Sequence, residues 1–204
     1  LSRQTVDFDA RYYLRLRGSA LLALCARGFK SWGDAPTFMY FGGNSEMRGY
    51  EYLEFIGSET GFLNAELRFP FIEAMLTPIG AFGGIRGVLF ANMGGARFGG
   101  QPFKWWSGSA EMYTPMVSSI QGYNSQGPIF GPPTPTSVDG LRLIDARASY
   151  GIGLETFALG FPIHFDWARR TLFNKDWEDL LFATSGGSAV FRKTQFSMWI
   201  GYDF

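Results

Sequence analysis

From Thr5 to Arg17 the chain reads TVDFDARYYLRLR, and this segment alternates at period two without interruption over thirteen residues. Val6, Phe8, Ala10, Tyr12, Leu14 and Leu16 fall on one side, and Thr5, Asp7, Asp9, Arg11, Tyr13, Arg15 and Arg17 on the other. Such a pattern suits a strand with one apolar and one polar face, and no helix can satisfy it. Strands of soluble domains usually run about five or six residues, whereas a tilted strand needs about nine to eleven to cross a bilayer. Length alone therefore points toward a membrane.

The pattern recurs in GFLNAELRFPFIE, where Leu63, Ala65, Leu67, Phe69 and Phe71 oppose Asn64, Glu66 and Arg68. GGIRGVLFANM carries Ile85, Leu89, Ala91 and Met93 on its apolar face. In RLIDARASYGIGLE, Ile144, Ala146, Ala148, Tyr150, Ile152 and Leu154 oppose Asp145, Arg147, Ser149 and Glu155. Phe161, Ile163, Phe165 and Trp167 oppose Pro162, His164, Asp166 and Ala168. Phe196, Met198, Ile200, Tyr202 and Phe204 end the chain in the same style, and with residues 20–30 the reading totals seven strands. Connections alternate between short (17–19, 73–82, 158–160) and long (31–60, 98–140, 171–194), as in outer-membrane barrels with short periplasmic turns and long external loops. Glycine, proline and serine crowd the long ones, as in GPPTPTSVDG, and mark loops inside one domain spanning 1–204.

Composition narrows the alternatives. Eighteen basic and eighteen acidic residues cancel, which removes the basic surface a nucleic-acid partner requires. Charged residues make up 18% of the chain, below the roughly 25% of soluble domains, while aromatics also reach 18%. The most apolar segment, 20–26, is too short for a membrane helix, and Leu1 leads directly into charged sequence with no signal-peptide core. Cys25 is the single cysteine, so neither a disulfide within the chain nor a cysteine metal site is expected. Inside a bilayer every backbone group must pair, so strands cross only as a barrel, with apolar side chains toward lipid and polar ones toward the lumen. A soluble sandwich with one polar face would alternate in the same way. Strand length, loop alternation and aromatics near strand ends favour an all-β, antiparallel transmembrane barrel segment. An odd number of strands further implies that upstream strands complete it.

The segment FGGNSEMRGYEYLEF, Phe41 to Phe55, sets one arginine among glycines and aromatics. GGNSEMRGY, FLNAELRFPF, LFANMGG and the aromatic C-terminal strand, taken in order, resemble the C-terminal half of the barrel in the BamA/TamA superfamily, the bacterial surface antigen family. The resemblance runs from about Thr5 to Phe204. It implies half of a 16-stranded outer-membrane barrel, a periplasmic module upstream, and a factor that inserts or translocates other proteins with no cofactor, metal or covalent step. It also implies outer-membrane lipid and other outer-membrane proteins or assembly machinery as partners. Met47-Arg48-Gly49-Tyr50 resembles the family motif whose arginine folds into the lumen, so Arg48, Gly49 and Tyr50 are expected to lock the long loop against Glu66. In the family a second acid follows on the next strand, where this chain has Asn92. Met198, Ile200, Tyr202 and Phe204 resemble the C-terminal assembly signal.

Catalytic patterns are weak. His164 and Asp166 lie close but without a positioned nucleophile, which favours hydrogen bonding in a lumen over catalysis. Neither a GxSxG elbow nor a phosphate-binding GxxxxGK[ST] occurs. NKDWEDLLF offers three carboxylates, Asp176 to Asp179, read here as a solvated loop in preference to a cation site. Two other functions stay open. One is a passive pore whose selectivity Asp145, Arg147, Asp166 and Arg170 would tune, and the other is an anchor for an upstream periplasmic or lipase module.

Overall fold

The computed structural model describes residues 1–77, 80–115, 119–158 and 160–201. Its body is one antiparallel sheet of seven strands in sequential order. These are β1 (Arg3–Arg15), β2 (Leu21–Gly33), β3 (Glu59–Thr77), β4 (Gly80–Arg97), β5 (Arg147–Ala158), β6 (Phe161–Thr171) and β7 (Gln195–Ile200). Sequential neighbours pair throughout, so each polar groove of backbone donors finds its partner one hairpin away. β1 and β7 stand at the two ends of the sheet and do not pair with each other, so the described sheet is open. β1 is exposed along its whole length.

Register converts the alternation into two chemically opposite faces. Leu14, Leu22, Leu67, Leu89, Ile152, Trp167 and Phe196 lie side by side in one row across all seven strands. That row looks outward, with Leu89 45%, Ile152 55% and Phe196 59% exposed. One residue along each strand the side chains turn inward, and there Glu66, Phe90 and Ala168 are buried. Asn64, Asn92, Ser149, His164 and Asp166 are buried on the same inner face. The inner face thus mixes buried polar groups with Ala23, Phe62, Val88 and Phe90, while the outer row is apolar.

Three boundaries differ from those expected. The fifth strand begins at Arg147, five residues later than RLIDAR suggests, because Leu143 and Ala146 leave the sheet and pack with Val138, Leu172, Trp177 and Phe191 in a separate apolar cluster. β3 and β4 continue to pair as far as Thr77 with Gly80, so strands occupy residues 73–77 and 80–82 of what read as a connection. The long loops also carry structure of their own: residues 106–107 pair with 142–143, 111–113 with 136–138, and 119–124 with 127–131.

The third long connection holds two short helices, α1 (Lys175–Leu181) and α2 (Gly187–Phe191). Asn174 caps α1 by accepting from the Trp177 backbone N–H at 3.0 Å, and Trp177 Nε1 donates to the Leu143 carbonyl at 2.7 Å. NKDWEDLLF is therefore not a solvated loop. Glu178 is fully buried, accepts from the Leu172 N–H at 2.6 Å and pairs with Arg192. Removing a buried carboxylate that satisfies both a backbone N–H and a guanidinium costs about 3 kcal/mol. Glu178→Ala should therefore expose residues 172–194 to protease at urea concentrations the wild type tolerates. Asp176→Ala, which removes an exposed acid, should leave that profile within about 0.5 kcal/mol of wild type.

Candidate functional site

The site is built where the first long loop turns back onto the inner face of the sheet. Residues 39–41 and 55–57 pair as a short hairpin, and the segment between them curls into the concavity. The Gly43 carbonyl accepts from Glu46 N and Met47 N, Met47 O accepts from Tyr50 N, and Glu46 Oε2 accepts from Gly42 N at 2.9 Å. These bonds satisfy backbone groups that no sheet serves and make the turn rigid. Phe41 and Met47 are fully buried with Cys25, Phe62 and Tyr50, and Phe41 stacks on Phe55 and Phe62 at 4.9 and 5.2 Å.

Arg48 sits at the tip with 1% of its side chain exposed. Its Nη1 donates to Glu66 Oε1 at 2.5 Å, and its Nε donates to Asp166 Oδ2 at 3.1 Å. The guanidinium also lies 4.7 Å above the Phe90 ring. Glu66 in turn accepts from Arg68 Nε at 2.8 Å, and Asp166 accepts from Trp199 Nε1 at 2.7 Å. Among the described residues, two guanidinium groups thus face two carboxylates in one buried cluster. Burying any one of these ions alone would cost several kcal/mol, so the cluster holds only as a set.

Each residue expected in the loop lock has a definite place. Glu66, fully buried on β3, receives the guanidinium. Gly49 has φ +87, in the left-handed region, and a Cβ there would lie 2.9 Å from the Ala168 Cβ, so glycine alone fits against β6. Tyr50 donates its hydroxyl to the Ala148 carbonyl at 3.0 Å on β5, and burial pushes its phenol pKa up. Asn92 does not meet the guanidinium. With its amide oxygen turned toward the loop it accepts from the Arg48 backbone N–H at 3.1 Å and donates to the Ala91 carbonyl. The second charge comes instead from Asp166 on β6, four strands of the sheet counting from β3.

Asp166, Trp199 and Phe90 were not assigned to this site from the sequence. All three lie on inward positions, so alternation marked them as candidates. Which inward residues meet depends on the curvature of the sheet, which alternation does not report. Met198 and Ile200, expected in a C-terminal assembly signal, are on the outer face, 60% and 62% exposed, while Tyr202 and Phe204 lie outside the described residues. His164 stacks flat on Trp199 with ring centroids 3.7 Å apart, and its Nε2 is 2.9 Å from the Gly201 carbonyl, which assigns the proton to Nε2. Among the described residues no group of three potential ligands is placed to hold a metal ion.

Comparisons with protein-family models, with curated proteins and with solved structures find no match to this chain. The site must therefore be judged on its own geometry. Glu66→Ala takes from buried Arg48 one of its two described carboxylate partners and should cost about 3–5 kcal/mol, releasing residues 42–54 to protease. Asn92→Ala removes one neutral hydrogen bond and should cost about 1 kcal/mol. Limited proteolysis across a urea series distinguishes them, and equal protection in Glu66→Ala and wild type would refute the lock.

Proposed function

We propose that this chain is part of an outer-membrane β-barrel that acts in the insertion or translocation of other proteins, in the manner of the BamA/TamA superfamily it resembles. The observation that carries the reading is the contrast between the two faces of the sheet. A row of bulky apolar residues runs across all seven strands on the outer face, with Leu14, Leu89, Ile152 and Phe196 exposed, while ions and amides are buried on the other face. In water the exposed face would be a large adhesive patch, and in a bilayer it is the solvent-facing side. The loop-side rim supports this placement, because Trp32, Phe38, Phe98 and Trp106 stand exposed there as an aromatic girdle would.

An edge strand supports the activity. Among the described residues β7 pairs only with β6, and the backbone donors and acceptors along its other side can add a further strand by hydrogen bonding alone. A substrate strand could pair there with no covalent chemistry. The passive-pore alternative finds less support. Asp145 lies in the loop and accepts from Lys104 N, Asp166 is held by Arg48, and Arg170 donates to the Phe191 carbonyl and lies over the Tyr50 ring. Arg147 donates to the Ile144 and Ala146 carbonyls, so each of these charges is engaged within the protein.

A photo-crosslinking residue in place of Ser197, midway along β7, tests edge pairing in cells that export outer-membrane proteins. Adducts with newly made barrel proteins are expected, and they should fall at least five-fold when the substrate lacks its terminal strand. A membrane-inserted chain that yields no adducts would contradict the proposal.

A further inference from the structure

The outer face carries two adjoining hollows of different chemistry. The lower one, about 560 Å³, is an apolar groove. Its floor includes the outward row Ala10, Ala26, Leu63 and Met93 and the next row's Ala65 and Ala91. Tyr12 and Tyr150 rise at its two ends, 58% and 50% exposed. Four strand spacings separate these tyrosines, about 19 Å. The row immediately beyond, from Leu14 to Phe196, is bulky throughout, so the groove has a wall along that side.

The upper hollow, about 400 Å³, begins one outward position nearer the long loops, at Phe8, Gly28, Gly61 and Gly95. Two residues along a strand is about 7 Å, so the two hollows are contiguous. Phe103 and Trp105 of the loop fold over its glycine floor, their rings in edge contact at 5.1 Å. Above them stand Lys30, Glu59 and Arg97. Glu59 accepts from Arg97 Nε at 2.6 Å and pairs with Lys30 at 3.0 Å, so the trio carries a net single positive charge. Arg97 also donates Nη1 to the Gln101 carbonyl at 2.7 Å. The Lys30 side chain is 55% exposed, and an ammonium has three donors.

The geometry points to a binding site for one anionic phospholipid, with its phosphate at Lys30 and Arg97 and an acyl chain in the groove. This inference rests on the membrane reading above and adds a specific lipid position to it. Charge complementarity selects the head group: the cations stand at the loop end, where the phosphate layer would lie, and the apolar groove begins below them. Orientation agrees as well. The row that starts at Ala10 in the middle of β1 ends at Thr171, the loop-side end of β6, so the groove runs from mid-belt to rim as a lipid tail does. Phe103 and Trp105 then flank the glycerol region, the depth that amphipathic rings favour.

The test uses the chain reconstituted in lipid nanodiscs holding equal phosphatidylglycerol and phosphatidylcholine, followed by native mass spectrometry of retained lipid. Wild type should keep phosphatidylglycerol at least five-fold over phosphatidylcholine. Lys30→Gln, which leaves the Arg97–Glu59 pair intact, should reduce that preference to below two-fold. Ala65→Phe fills the groove and should abolish retention of both lipids, while Leu89→Phe in the neighbouring row should change nothing. Equal retention of the two lipids by wild type, or undiminished retention by Ala65→Phe, overturns the inference. A chain that fails to float with vesicles overturns the membrane reading itself, which separates the two failures.

Discussion

A guanidinium buried to 99% has few ways to exist, and the inner face of this sheet is organised around providing one. Arg48 needs counter-charge on more than one side, and it takes Glu66 from β3 and Asp166 from β6. Those strands are separated by two others in the sheet, so the pairing is possible only where the sheet curves around the loop. The loop, in turn, can approach only because Gly49 carries no side chain against Ala168. Curvature, loop conformation and ion pairing are thus one condition, and each loses its reason without the others.

The same cluster accounts for the missing acid. Asn92 stands where the resemblance implies a carboxylate, yet among the described residues Asp166 supplies Arg48 with a second negative charge beside Glu66. Asn92 keeps a lesser task, accepting the Arg48 backbone N–H. A neutral amide suffices there because the peptide group it meets is neutral.

Strand identity was legible because period two is local: seven alternating segments became seven strands, and their apolar sets face one way. What failed to read was non-local. RLIDAR continues the alternation past the start of β5 because Leu143 and Ala146 are apolar for another reason, the cluster they form with Trp177 and Phe191. NKDWEDLLF looked solvated because acidic residues usually are, and Arg192, fourteen positions beyond Glu178, together with the Leu172 N–H explains the burial. Arg48 and Glu66 were visible through motif and face, whereas Asp166 stood on the correct face with nothing in the local sequence to name its partner.

We propose that the alternation separates a lipid-facing exterior from a loop-filled interior. Trp167 and Trp199 sit on adjacent strands with opposite orientations, the first in the outer row and the second 8% exposed against His164 and Asp166. In single-tryptophan versions of the chain reconstituted into vesicles, acyl chains brominated along their length should quench Trp167 strongly and leave Trp199 close to its unquenched intensity. Equal quenching of the two, or quenching of neither, would contradict the account.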